Sequence, residues 1–440
     1  MERDKSVVAV GAGPANLAFA VAVEEMAPHL AEETLLVEQH DDIAWQRGML
    51  LPWAQSQVGF LKDLVTLRNP RSRYSFVNYL HSTSRLDEFI NLGTSLPYRL
   101  EVSAYLQWVA KSLELVQVEY GRSVTAITPV SSRDDGVSDR WRVQFDTGEV
   151  VRCRDVVIGV GRAPNIPAAF LDLPADRLIH STGFTTRLEG LDPAAVRRVA
   201  VVGGAQSAAE MLWTMYQRFP DAECRMVMRS AGLRGYESSA FTNELYFPSF
   251  VDQFYAGSAE ARSQVLQEMH RTNYAGLAPG MLDTLYRQMY QDRLTGRARI
   301  AMHTLTDVLA ARMDGDEVVL TVHDRLRGTT DELRTDLVLL GTGFEQGMPA
   351  LIRQTAASVG VTEIAVDRNY RLVTPDPVTA GCYLQGVNEA THGIADSLIS
   401  VLAIRAGEMV TDMLGARGDS PPALVGTGPT DGRSIEGRDD

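Results

Sequence analysis

Cysteine is scarce. The 440 residues hold three, Cys153, Cys224 and Cys382, far apart and never in a Cys-x-x-Cys pair. That spacing disfavours a disulfide scaffold or a zinc site, and it suits a reducing, cytoplasmic compartment. Positive charge is also short: 42 Lys and Arg face 56 Asp and Glu, a net −14. With no basic run to neutralise phosphates, nucleic acid is not an expected partner. Long apolar runs are missing too. Ser6 to Val23 carries no charge, yet Gly11, Gly13, Pro14 and Asn16 interrupt it and a charge-balanced Met1-Glu2-Arg3-Asp4-Lys5 precedes it. It reads as neither a signal-peptide core nor a membrane span, and no membrane partner is expected. What remains is ordinary globular composition, 45% apolar and 22% charged, in a chain long enough for two or three domains.

Two stretches repeat one grammar. Val7–Val10 is a short β-branched run ending in Gly11-Ala12-Gly13-Pro14-Ala15-Asn16; an alanine-rich helical pattern and a second strand, Thr34–Glu38, follow. Arg198–Val202 is again a strand, ending in Gly203-Gly204-Ala205-Gln206-Ser207-Ala208-Ala209-Glu210. A helical pattern to Phe219 and a strand Cys224–Met228, stopping at Arg229, follow it. Strand, glycine turn, helix, strand is the βαβ unit that binds nucleotides. Val156–Gly161 and Leu337–Gly343 are further strands ending in glycine turns, and they read as crossovers between two nucleotide domains. Residues 236–295 are aromatic-rich and helical in pattern. The tail, 416–440, is rich in Gly, Pro, Asp and Ser, which predicts disorder. Its Ile435-Glu436-Gly437-Arg438 equals a protease-site tetrapeptide, either native or left by cloning, and no fold element is expected from it. The expected architecture is α/β with two Rossmann-like dinucleotide-binding domains. Residues 1–170 and 345–415 form the first, 171–235 and 296–344 the second, and 236–295 a small helical substrate-binding insertion.

The first turn carries the chemistry of a dinucleotide site. Gly11 permits the tight turn, Gly13 lets the backbone approach a pyrophosphate, and a helix beginning at Pro14 offers free N–H groups to phosphate oxygens. Asn16 stands where the fingerprint has Gly or Ala. Glu38, ending the next strand, can accept two ribose hydroxyls. In the second turn Gly203, Gln206 and Ser207 face the phosphates, and Ala205 replaces the second glycine. Its strand ends in Arg229 rather than an acid, which suits a 2′-phosphate and disfavours NAD. Two such sites in one chain imply electron transfer between two cofactors, most economically FAD in the first and NADPH in the second.

Other stretches resemble a known family. Gln57-Val58-Gly59-Phe60-Leu61-Lys62-Asp63-Leu64-Val65-Thr66-Leu67-Arg68-Asn69-Pro70 resembles the signature of the microbial flavin-dependent N-hydroxylating monooxygenases, the L-ornithine and L-lysine N-hydroxylases of siderophore biosynthesis. So do Tyr74–Leu80, Phe89–Gly93 and Asn388–Ser400. The likeness spans residues 7 to 412 and is nearest the ornithine branch in Phe89–Gly93 and Lys62.

The resemblance implies hydroxylation of the side-chain amine of L-ornithine by FAD, NADPH and O₂ through a C4a-hydroperoxyflavin. L-lysine, putrescine or another small amine are the alternative substrates. It implies that Lys62 holds the substrate carboxylate and that Asn243 and Asn273 fix the amino acid. It puts Trp45 and Gln57 beside the flavin and Arg229 on the NADPH phosphate. Asn388–Ser400 closes over both, with Asn388, Asp396 and Leu398 on the cofactor side and Ser400 on the substrate side. No side-chain nucleophile, base or metal is required, and a homo-oligomer, up to a tetramer, is expected. Two departures fall near the expected flavin face: Gln46-Arg47 where the family often has His-Pro, and Ser56 where it often has Met. His392 reads either as a general base or as part of a helix start. Two rivals stand apart. A pyridine-nucleotide disulfide reductase needs a Cys-x-x-Cys pair, and a non-catalytic nucleotide sensor would leave Lys62, Asn243 and Asn273 with no common ligand.

Overall fold

Val7, Val8 and Ala9 are fully buried and Val10 nearly so, because the strand they form, Glu2–Val10, lies inside a sheet covered on both faces. The computed structural model describes residues 2–131, 136–237, 239–273, 276–375 and 378–419. The expected disordered tail therefore lies, beyond Asp419, outside the described residues. The first sheet runs Gln117–Glu119, Thr34–Val37, Glu2–Val10, Val150–Ile158, Arg140–Phe145, Val124–Val130. Its long strand Val150–Ile158 divides its outer edge. Val150–Cys153 pairs antiparallel with Arg140–Phe145, and Asp155–Ile158 pairs parallel with Gly381–Leu384. Helices Pro14–Met26 and Leu402–Gly415 pack together over one face.

The second sheet is parallel throughout, in the order Ile300–His303, Glu223–Val227, Arg198–Val202, Leu337–Leu340, Leu178–His180. An antiparallel three-stranded sheet, Thr306–Asp314, Glu317–Asp324 and Thr329–Thr335, covers it. The two crossover segments join each other. Asn165 N–H donates to Gly343 O and Glu345 N–H to Ala163 O, both at 2.9 Å. Gly161 (φ 68°) and Gly343 (φ 73°) supply the left-handed backbone there. Four helices, Ala240–Glu244, Pro248–Ala256, Ala259–Asn273 and Pro279–Leu294, form a satellite. Its apolar side, with Tyr246, Val251 and Met269, meets Ile394, Ala395 and Val401.

Candidate functional site

The first glycine turn sits at the carboxyl end of Glu2–Val10, beside the crossover Gly159. Gly11 has φ 88°, and a side chain there would stand 2.7 Å from Gly159 O, so only glycine closes the turn. Gly13 is extended, and a Cβ on it would meet no protein atom within 4 Å. That open cradle at the start of a 13-residue helix is what a pyrophosphate needs. Half-buried Glu38 reaches into the turn: its carboxylate accepts from Ala12 N–H at 2.8 Å and His40 N–H at 3.1 Å. Gln385, which closes the strand Gly381–Leu384, brings a buried Oε1 with no partner. These residues fit a dinucleotide.

The second turn repeats the construction. Gly203 (φ 140°) packs so closely on Gly341 that a Cβ would lie 2.4 Å from Gly341 O. Ala205 is extended (φ −119°, ψ −174°), so its backbone does not require glycine. Gly204 leaves room before Ser230, whose buried Oγ has no partner. Arg229 is exposed, and its guanidinium makes no hydrogen bond or ion pair among the described residues. Arg325 donates to the Arg229 carbonyl and pairs with Asp307 at 3.2 Å, which fixes the main chain under Arg229. A free cation and an unpartnered hydroxyl beside the turn fit a phosphorylated ribose.

Lys62 lies on the loop after the Gln57–Phe60 stretch. It is half-buried, and its ammonium has no hydrogen bond or ion pair among the described residues. Burial alone lowers its pKa. Neighbouring Asp63 does not neutralise it, because that carboxylate accepts from Phe76, Thr66 and Val65 N–H groups. The pocket holding Lys62 is lined by Phe60, Phe76, Val58 and Ile399. Ile399 belongs to the C-terminal stretch, so the structure brings Lys62 to residues next to Leu398 and Ser400. The same stretch meets the helical satellite: Leu398, Ile394 and Val401 pack on Leu245 and Tyr246, which follow Asn243. Asn243 is half-buried on Ala240–Glu244. Asn273 ends the helix Ala259–Asn273, and its side chain lies outside the described residues.

Several side chains of the expected site have partners within the protein. Asn16 is fully buried. It donates to Val10 O (2.9 Å) and Gly11 O (2.8 Å) and accepts from Gln385 (2.7 Å), so its side chain builds the turn and does not face a cofactor. Gln206 is likewise spent, donating to Glu210 and accepting from Ala278 N–H. The Asp396 carboxylate is buried against Arg405 at 2.8 Å and accepts from Asn388 N–H. Asn388 in turn donates to Leu384 O. Both hold the stretch's shape. Ser400 is buried, Leu398 and Trp45 are half-buried, and Gln57 and Gln46 are exposed. Pro14 opens the first helix and Ser207 is half-buried in the second. Ser56, expected near the flavin face, is buried and bonded to Val58. Buried His392 stacks on Tyr370 at 4.1 Å, with Nε2 against Arg368 O at 3.1 Å. Burial pushes its pKa down to about 4, and with Nδ1 against Thr391 Oγ1 at 2.9 Å both ring nitrogens have partners within the protein, so the ring serves as a packing group. Sequence reading missed Gln385 and the pair Arg99–Glu210. Gln385 could have been found as the residue ending the strand beside the first turn; Arg99 carried no local signal.

Residues 4–346 match the family described as L-lysine 6-monooxygenase/L-ornithine 5-monooxygenase. An L-ornithine N(5)-monooxygenase of Burkholderia cepacia is 37% identical over 406 residues, 88% of this chain and 89% of that one. An L-ornithine N(5)-oxygenase of Arthrobotrys oligospora is 36% identical over 431 residues, 93% of this chain and 88% of its own. The structure of the Kutzneria sp. 744 ornithine N-hydroxylase with reduced FAD, NADP⁺ and L-ornithine superposes with a TM-score of 0.89 at 36% identity, covering 94% of this chain and all of that one. With two glycine-turn cradles, a lysine without a hydrogen bond or ion pair among the described residues, and these likenesses, the chain belongs to the L-lysine 6-monooxygenase/L-ornithine 5-monooxygenase family.

Proposed function

We propose that this chain hydroxylates the N5 amine of L-ornithine, holding FAD at the first turn and NADPH at the second. FAD supplies two-electron oxygen activation and NADPH the hydride that reduces it. The protein binds, orients and excludes water. Gly11, Gly13 and Pro14 cradle the FAD pyrophosphate, and Glu38 accepts its ribose hydroxyls. Trp45 and Gln57 flank the flavin. Gly203, Ser207 and Arg229 hold NADPH, with Arg229 on the 2′-phosphate. Lys62 is the observation that carries the substrate assignment. A half-buried cation with no ion pair among the described residues is suited to a carboxylate, and an amino acid brings one. Asn243, Asn273 and Ser400 fix the rest of the molecule, with Leu398 beside it. The attacking amine must be neutral, whereas a free alkylammonium has a pKa of about 10.4. The product would enter siderophore or related natural-product assembly. Buried thiols at Cys153, Cys224 and Cys382 support a cytoplasmic setting. The resemblance supports a homo-oligomer, up to a tetramer.

NADPH oxidation, hydroxylamine and hydrogen peroxide, measured separately with ornithine, lysine and putrescine, test the reading. Ornithine should give one hydroxylamine per NADPH. Lysine, one methylene longer, misplaces its nitrogen by about an ångström, which costs roughly 100-fold in rate, so most of its NADPH should end as peroxide. Putrescine leaves Lys62 unpartnered, at about 1–3 kcal/mol in binding. Putrescine hydroxylated as efficiently as ornithine refutes the assignment.

A further inference from the structure

A buried ion pair joins a helix of the first nucleotide-binding unit to the helix that follows the second glycine turn. Arg99 opens the helix Arg99–Ser112, whose apolar face packs in the first core. Glu210 lies in the second turn's helix, Gln206–Arg218. The guanidinium meets the carboxylate through two bonds of 2.6 Å, and the two side chains are 6% and 1% exposed. Arg99 also ties down the loop between Trp45 and Gln57: its N–H donates to Ala54 O at 2.9 Å and its Nη1 to Met49 O at 3.3 Å. Glu210 in turn receives Gln206 Nε2 at 2.7 Å, and Gln206 Oε1 accepts from Ala278 N–H at 2.8 Å. Ala278 caps the satellite helix Pro279–Leu294. Nearby, Gly48 abuts the second unit's Ser181–Thr182 backbone so closely that a Cβ would lie 2.2 Å from Ser181 O.

We infer that Arg99 and Glu210 are positioning residues for hydride transfer, fixing the start of the NADPH helix against the flavin-side loop Met49–Ala54. This rests on the two-nucleotide reading. The step they serve moves a hydride, two electrons with one proton, from NADPH, which becomes NADP⁺, to FAD, which is reduced. A bidentate pair sets both distance and orientation, whereas an apolar contact would let the helix slide. Through Gln206 the same carboxylate holds the entry to the satellite helix, so the nicotinamide and substrate sides share one anchor.

The test is anaerobic reduction of the bound FAD by NADPH, followed at the flavin absorbance without any amine, so the substrate assignment does not enter. Glu210→Gln keeps the side chain's shape and removes its charge. The Arg99→Met/Glu210→Met double variant replaces the pair with apolar groups, an exchange that folded proteins tolerate. Both should reduce about 10- to 100-fold more slowly at saturating NADPH. Affinity for 2′,5′-ADP, which occupies the adenosine half alone, should stay within about twofold, and FAD content should be unchanged. A double variant that reduces at the wild-type rate overturns the inference, whatever its melting temperature. Glu210→Gln failing to fold leaves the double variant to decide. Wild-type protein that NADPH does not reduce overturns the two-nucleotide reading instead.

Discussion

Replacing Lys62 with methionine separates the cost of the lysine from its use. In the free protein the ammonium is half-buried with no partner among the described residues, and desolvation lowers its pKa below the ordinary 10.5. The folded state therefore binds this proton less well than the unfolded chain. The penalty is fully present below the folded pKa and fades as pH rises through the window up to 10.5. Lys62→Met should thus melt no lower than the wild type at pH 7, and higher if anything, with the difference vanishing above that window. Substrate binding responds in the opposite sense. A charge-assisted hydrogen bond to the ornithine carboxylate contributes about 1.5–3 kcal/mol, which is roughly 10- to 150-fold in affinity. The variant should show an ornithine KM raised by that factor. Flavin reduction by NADPH should continue, and peroxide should replace hydroxylamine at modest ornithine. Steady-state assays of both products, with thermal melts at pH 7 and pH 11, decide it. An unchanged ornithine KM, or a variant markedly less stable at pH 7, would show that Lys62 is a structural lysine and that the carboxylate binds elsewhere.

Arg229→Ala should raise the NADPH KM about 10-fold or more, a loss of roughly 1.4 kcal/mol, and leave the NADH KM nearly unchanged; equal losses for both cofactors would remove the 2′-phosphate assignment. His392 has a folded pKa of about 4 against 6.5 unfolded, so it makes stability fall as pH drops from 6.5 through 4. His392→Phe should flatten that part of a pH–melting curve, and an unaltered slope would show that the ring does not stay neutral in the fold.

The βαβ grammar was legible because it is local. Glycine, β-branched run and helix start lie within twenty residues, and backbone sterics tie each to one conformation. The candidate site was legible only where a side chain has no other task. Lys62 and Arg229 keep theirs free of partners among the described residues. Gln206, Asn388 and Asp396 carry residue types that suit a cofactor, yet the fold uses them first, because a buried polar group without a partner is costly. No sequence pattern distinguishes a glutamine aimed at a phosphate from one that holds Glu210 and Ala278 together. Arg99 and Glu210 are 111 residues apart, and neither is unusual beside its own neighbours. The Gln46-Arg47 departure is also explained by position. Gln46 stands at φ 53°, and Arg47 pairs with Asp42, both at the exposed edge of the loop.

The third position of each glycine fingerprint is set from outside its turn. In each, the residue five after the first glycine packs on a glycine of the crossover strand, Asn16 on Gly159 and Ala208 on Gly341. A Cβ on Gly159 would lie 2.8–2.9 Å from the Asn16 side-chain amide, and a Cβ on Gly341 would lie 2.5 Å from Ala208 Cβ. The crossover glycines are therefore part of the nucleotide motifs, and they leave enough room that position 16 can be as large as asparagine. The two contacts differ in kind. The atoms nearest a Cβ on Gly159 belong to the Asn16 side-chain amide, whereas a Cβ on Gly341 also faces Ala208 Cα at 2.7 Å and N at 2.8 Å. Gly159→Ala and Gly341→Ala should each cost about 1–3 kcal/mol through overpacking. Shortening the neighbour should then separate them. Asn16→Ala should recover part of the loss in Gly159→Ala, less the hydrogen bonds to Val10 and Gly11. Ala208→Gly should recover little in Gly341→Ala, because backbone atoms remain in the way. Melting temperatures and FAD content of the four single and two double variants measure both couplings. Equal rescue at the two sites would show that the helices simply shift, and that the close approach of crossover to turn does not set the motif.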